Sequence, residues 1–188
     1  MADLTTRHSN QPSTMEKTVG YNTEFAGVIN IAPALNKYEI AYLRKFAATY
    51  KEERAEGPYY VEPLPDIEKS VSEVIPVLDV DAMPHGQPGQ HCEGEPSDDG
   101  TGIQWSGGEK FIYSLEWMAY LIDTFLQPGA TVQTTAPRPG WTWPEEFAHF
   151  TFDHVCNGVI DAQGDDLFDR WRLVVTNNEV SYQTPRWG

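Results

Sequence analysis

The last third of the chain alternates. In "FTFDHVCNGVIDAQG" and "RWRLVVTNNEVSYQT" apolar and polar residues take turns, the period of strands with one buried face. Asn177-Asn178 interrupts the second stretch, and two asparagines suit a tight hairpin turn. Strands joined so closely run antiparallel. A sheet with one apolar face then needs other elements to cover that face.

Two stretches have the helical period. In "NKYEIAYLRKFAATYKEER", Asn36 and Glu39 form a capping-box pattern, and Ile40, Leu43, Ala47 and Tyr50 make an apolar stripe. In "LEWMAYLIDTFLQPG", Ser114 is the expected cap. Met118, Leu121, Ile122 and Phe125 fall at helical spacing, and Pro128-Gly129 closes the helix. Two further stretches read as strands. "FAGVINIAP" puts Phe25, Gly27, Ile29 and Ile31 on one face and stops at Pro33. "GTGIQWSGGEKFIYS" has Ile103 and Trp105 in a strand, Gly107-Gly108 in a turn, and Phe111 and Tyr113 continuing the strand. The expectation is an α+β fold. A mainly antiparallel sheet of about five strands carries two helices packed on one face. One domain spans 24–184, after a flexible N-terminal tail at 1–23.

Residues 57–100 read differently. Prolines 58, 63, 65, 76, 84, 88 and 96 interrupt any long element, and acids fill the spaces. "KSVSEVIPVLDV" reads as a short helix or an edge strand, and the rest as an acidic loop insertion over the surface. Loops this long are usually functional or disordered. A second loop is "ATVQTTAPRPGWTWPEE".

The charge carries most of the functional information. The 188 residues hold 28 acids and 13 bases, a net of −15. Residues 52–101 account for −11 and residues 145–179 for −6, whereas the first 51 residues carry +2. Such a balance repels nucleic acid and anionic membranes, whose binding needs clustered Lys and Arg. No apolar run approaches the roughly 20 residues of a membrane span, and the N-terminus lacks a signal-peptide centre. A cytoplasmic protein is expected, with Cys92 and Cys156 as free thiols.

Four aspartates, Asp161, Asp165, Asp166 and Asp169, crowd the turn between the two alternating stretches. A calcium loop starting at Asp161 would need Asp or Asn at its third position and Gly at its sixth. Gln163 and Asp166 stand there instead, so the acidic hairpin reads as a solvated turn within reach of Arg170 and Arg172. A weak magnesium site stays open. His149, His154 and Cys156 are the nearest approach to a zinc set, but no second paired motif accompanies them. They read as core or interface residues, and no metal is expected. Cys92, between His91 and Glu93, and Cys156, inside an apolar strand, both make poor thiolates. No nucleophile elbow, zinc-protease or phosphate-loop motif is present, so no catalytic residue and no cofactor is expected. Trp105, Trp117 and Trp171 read as core. Trp141 and Trp143, in "RPGWTWPEEF", either pack onto the sheet or anchor a ligand or partner.

Three stretches carry a resemblance: "FAGVINIAPALNKYEIAYLRKFA", "GQPGQHCEGEPSDDGTGIQWSGGEKFIYSLEWMAYLIDTFLQPG" and "NGVIDAQGDDLFDRWRLVV". Over residues 25–182 the chain resembles a family of small uncharacterised proteins of phage and bacterial, notably actinobacterial, genomes. The relatives carry an aromatic-rich segment around the cysteine, where this chain has His91-Cys92-Glu93-Gly94. The resemblance implies a phage or mobile-element accessory protein and transfers no catalytic residue.

The expected function is therefore non-enzymatic binding in the cytoplasm, that of the host cell if the chain is phage-encoded. The partner would be a host or phage protein with a basic surface, antagonised by an acidic face. Glu93, Glu95, Asp98 and Asp99 would supply that face, with Trp141 and Trp143 as anchors. Two alternatives are a binder or sponge for a nucleotide signal and a metal-dependent hydrolase using the acidic hairpin. Self-association is also open.

Overall fold

A computed structural model describes residues 22–62, 77–79, 82–84, 86–108 and 111–184. The expected tail lies outside these residues apart from Asn22 and Thr23, and of "KSVSEVIPVLDV" only Val77–Asp79 falls within them.

Strand β1 (Thr23–Ala32) leads into helix α1 (Lys37–Ala48). The capping box forms as its spacing requires. Asn36 Oδ1 accepts from the N–H groups of Tyr38 and Glu39, and Glu39 Oε2 accepts from the Asn36 N–H at 2.7 Å. Two short strands, β2 (Glu53–Arg54) and β3 (Val77–Asp79), pair as a separate ribbon. Strands β4 (Gly94–Pro96) and β5 (Gly102–Trp105) precede α2 (Ser114–Leu121), which continues as a π-helical turn over Ile122–Leu126. A short helix α3 (Thr131–Thr134) and a 3-10 turn (Glu145–His149) lie in the second loop. The chain ends in β6 (Val155–Gly164), β7 (Arg170–Thr176) and β8 (Glu179–Gln183).

Six strands form one sheet in the order β4-β5-β1-β6-β7-β8, every pairing antiparallel. The long β1/β6 ladder runs from Thr23 opposite Gly164 to Ala32 opposite Val155. Gly27 and Gly158 allow its close approach. A Cβ on Gly27 would lie 2.3 Å from the Val159 carbonyl oxygen, and one on Gly158 2.5 Å from that of Val28, both with positive φ. Asn177 and Asn178 take φ of 48° and 72°, the two left-handed residues of a tight hairpin turn.

Alternation decides which face is dry. Phe25, Ile29, Ile31, Ile103, Cys156, Ile160, Leu173 and Val175 are buried, while Val28, Val155 and Val159 on the other face are exposed. The core gathers these with Tyr42, Leu43 and Phe46 of α1 and with Trp117, Met118, Leu121, Ile122 and Phe125 of the second helix. Edge-on ring pairs join them, Phe46–Phe125 at 5.1 Å and Tyr42–Phe147 at 4.7 Å between centroids. Among the described residues no helix is long and apolar enough to cross a membrane.

Several expectations need correction. The buried stripe of α1 is Glu39, Tyr42, Leu43 and Phe46, rotated from the expected Ile40, Leu43, Ala47 and Tyr50. Two large rings bury more apolar area than Ile40 and Ala47, and Tyr50 lies beyond the helix. Phe111 and Tyr113 do not extend a strand. Phe111 leaves the sheet to pack edge-on against Phe25 at 5.3 Å, and Tyr113 turns left-handed with φ 61°. Ser114 is the buried first residue of α2 instead of its cap. Six strands replace about five, because β4 comes from the stretch read as a surface insertion. Within that stretch Gln87 and Cys92 are also buried. The described part of residues 57–100 contains no long element, but its second half belongs to the body of the domain.

Candidate functional site

The π-turn carries the second helix on past Leu121, so its outward side chains form a row. Tyr113, Glu116, Tyr120 and Asp123 stand three, seven and ten residues along, opposite the buried Met118 and Leu121. This row is one wall of a cleft of about 840 Å3. The other walls come from three separate loops: Pro58 and Tyr59, Pro88, and the stretch from Thr131 through Arg138 to Trp141. The size is that of a ligand site, within the roughly 300–1,000 Å3 such pockets occupy.

Specific bonds hold those loops together. The Thr142 N–H donates to the Glu56 carbonyl at 2.9 Å. Gly57 leaves room for the Trp141 indole, since a Cβ there would lie 2.7 Å from the ring. The Tyr42 hydroxyl donates to the Tyr59 carbonyl at 2.9 Å, tying this wall to α1. Gln87 Nε2 donates to the Pro58 carbonyl at 2.6 Å, while its Oε1 is buried with no donor among the described residues. Tyr59 meets Trp141 and Trp143 edge-on at 6.3 and 5.5 Å.

The charges in the cleft are unevenly satisfied. The Arg138 guanidinium lies over the Trp141 ring, 5.0 Å from its centroid. Asp123 Oδ1 accepts from the Gln127 amide at 2.8 Å. Glu116 is exposed and has no hydrogen-bond or ion-pair partner among the described residues. Burial pushes the Tyr120 phenol well above its ordinary range. It raises Tyr59 too, with Arg138 opposing. Rings, carboxylates, hydroxyls and one guanidinium are groups that hold a ligand.

The residues singled out from the sequence fall in different places. Trp141 lines the cleft, whereas Trp143 packs on Phe147 at 5.3 Å at the margin of the core. Glu95, Asp98 and Asp99 line a separate groove with Arg44. Asp98 pairs with Arg44 at 2.5 Å. Asp99 Oδ1 accepts from the hydroxyl and N–H of Thr101 and from the Ser97 hydroxyl, and these bonds hold its carboxyl down at about 2. Glu93 accepts from the Ser106 hydroxyl. Three of the four acids of the expected binding face thus already have partners within the chain.

The acidic hairpin is a turn, and three of its carboxylates accept hydrogen bonds from within the chain. Asp161 accepts from Arg172 Nε at 2.6 Å, Asp165 from the Asn22 N–H at 2.9 Å and Asp166 from the Phe168 N–H at 2.8 Å. The Asp169 carbonyl accepts from the Gly164 N–H at 2.9 Å, and Arg170 turns to Gln163. Among the described residues no three His, Cys, Asp or Glu side chains converge as metal ligands.

The histidines separate as well. His149 stacks on Tyr38 at 4.0 Å. His154 is buried in a polar node that the sequence reading missed. Its Nδ1 faces the Pro33 carbonyl at 2.7 Å and its Nε2 faces Glu39 Oε1 at 3.2 Å. Nε2 also lies 3.1 Å from the Thr151 hydroxyl, and the carboxylate and carbonyl beside the two nitrogens favour the protonated ring. Thr151 donates to the same Glu39 oxygen through its N–H at 2.7 Å and its hydroxyl at 3.1 Å. Burial opposes ionisation of both groups, but their mutual bond and the backbone bonds win. Glu39 sits below its ordinary 4.5 and His154 above its ordinary 6.5. The visible signal was a carboxylate on the apolar side of α1.

Both thiols are buried. Burial pushes Cys92 up to about 11 and Cys156 up to about 12. For Cys92 that desolvation, and not chiefly the neighbouring acids, is the cause, since Lys51 opposes it. Lys51 is itself buried, its ammonium closing the end of α1 on the Phe46 and Thr49 carbonyls, and burial pulls it down to about 8.

Fold and cleft together define an α+β protein with a ligand-sized aromatic recess. No protein-family model matches the chain, and neither a curated protein nor a solved structure shows significant similarity to it.

Proposed function

We propose that this chain is a binding protein without catalysis of its own, and that it engages a partner protein through a basic surface of that partner. The observation that carries the reading is the aromatic cleft, lined by the exposed carboxylate of Glu116, in a chain of net charge −15. Long-range attraction brings a basic partner in, and a recess with rings and carboxylates supplies the anchor. We read both helices as lying on the dry face of the sheet, which leaves the cleft side of α2 turned outward. The resemblance to small phage and actinobacterial proteins extends the proposal to an accessory protein that antagonises a host defence or nucleic-acid-binding protein in the cytoplasm.

A second reading, a binder for a nucleotide signal, draws support from Arg138 beside Trp141 in the same cleft. A guanidinium and a stacking ring are what a phosphate and a base require. The test is affinity capture from an actinobacterial lysate, followed by titration of the recovered protein at two salt concentrations. A partner with isoelectric point above ~9, whose affinity falls as salt rises, is expected. Acidic partners alone, or affinity indifferent to salt, would overturn the proposal.

A further inference from the structure

We infer that the cleft between α2 and the Trp141 loop is a receptor for a guanidinium or alkylammonium side chain presented by a basic peptide segment. The inference rests on the basic-partner reading and assigns its anchor point. Tyr59, Tyr113, Tyr120 and Trp141 give the cleft aromatic walls, and Glu116 and Asp123 stand along one side. The face of an aromatic ring is negative and attracts a cation within about 6 Å of its centroid. The cleft already contains an example. Arg138 lies 5.0 Å from the Trp141 centroid and has no carboxylate partner among the described residues.

Glu116 is the converse, a carboxylate at the same cleft with no cation partner among the described residues. Glu116 and Asp123 lie seven residues apart on one helix side, roughly 10 Å at the usual rise per residue. That spacing leaves room for one cation beside either acid. Tyr113, more than half exposed and left-handed in its backbone, also lines the cleft. A cleft of about 840 Å3 exceeds one guanidinium group. It accommodates the side chain together with its flanking backbone, so the source is a peptide and not a free ion. An anionic ligand would face two carboxylates against one guanidinium.

The test uses the full-length chain and two capped tripeptides, glycyl-arginyl-glycine and its neutral citrulline analogue, with adenosine monophosphate as the anionic probe. The indole N–H resonance of Trp141, assigned through Trp141→Phe, reports occupancy of the cleft. The arginine peptide should shift that resonance and bind about tenfold more tightly than the citrulline peptide, a difference of about 1.4 kcal/mol. Glu116→Gln should weaken it by a similar factor. Arg138→Gln should tighten it, because the chain's own cation then leaves the ring free.

Equal affinity for the two peptides, no Trp141 shift under peptide excess, or weaker binding of the arginine peptide by Arg138→Gln would each overturn the inference. Tighter binding of the nucleotide than of the arginine peptide would overturn it in favour of an anionic ligand. The anchor and the broader reading fail separately. A captured basic partner whose salt-dependent affinity ignores Glu116→Gln overturns the anchor and leaves the reading standing. Cleft binding of the arginine peptide, with only acidic partners captured, supports the anchor and overturns the reading.

Discussion

The Glu39–His154 node and the Trp141 cleft both collect polar and aromatic side chains, and they treat them in opposite ways. In the node each Glu39 oxygen accepts from a donor and both His154 nitrogens face acceptors. The two side chains are 0 % and 1 % exposed. In the cleft Glu116 is open to solvent with no partner among the described residues, and Arg138 lies over the Trp141 ring. A closed network of this kind fixes α1 against the segment before β6 and leaves nothing for a ligand to bond. An open, partly satisfied recess adds little to stability and keeps its bonding capacity. The difference separates a structural polar cluster from a site.

The largest effect should come from breaking the node. His154→Ala leaves a buried carboxylate without its cation, and should cost about 3–5 kcal/mol of unfolding free energy, read from urea denaturation. A loss below about 1 kcal/mol would mean that the pair behaves like one on the surface.

The node should also be visible in the pH dependence of stability. His154 is raised above 6.5, so its contribution is complete below that pH and fades as pH rises through its folded value. Glu39 is lowered below 4.5, so its contribution is complete above that pH and fades as pH falls through its folded value. The stability difference between wild type and the Glu39→Leu/His154→Leu pair should therefore be level between these limits and shrink on both sides. A difference that is unchanged on the alkaline side would show His154 to be neutral in the fold.

On the cleft side the expected effects on stability are smaller. Gly57→Ala places a Cβ 2.7 Å from the Trp141 ring at a backbone φ of +86°. It should cost about 1 kcal/mol and displace the indole, detected as a change in the Trp141 N–H resonance. Smallest of all, Glu116→Gln should alter stability by less than about 0.5 kcal/mol in thermal unfolding. A marked destabilisation there would show the carboxylate to be structural and erase the contrast with the node.

How much of this was legible depended on whether the signal was local. The capping box of α1, the apolar spacing of Met118, Leu121, Ile122 and Phe125, and the Asn177-Asn178 turn between β7 and β8 all appear where the sequence placed them. Each involves residues within one or two turns of helix or directly across a hairpin. The α1 stripe differed from expectation because two overlapping stripes were available, the buried one carrying Glu39 beside Tyr42, Leu43 and Phe46, and only the neighbouring elements decide which one is buried. The burial of Cys92 was not legible because a Pro/Gly-rich stretch reads as surface, whereas β4 pairs with β5 and draws that stretch into the sheet.

The sequence by itself determined the α+β class, the antiparallel pairing at the C-terminal end and the acidic balance. Those properties follow from periodicity, turn chemistry and counting charges. Tertiary structure alone decided that Glu39 meets His154 across 115 residues, and that Tyr59, Glu116, Tyr120, Arg138 and Trp141 share one cleft. The physical reason is that both sites are built from loops and helix faces distant along the chain. No local period records which of them will meet. Their meeting is fixed by how the aromatic core packs and by which backbone groups tie the loops down.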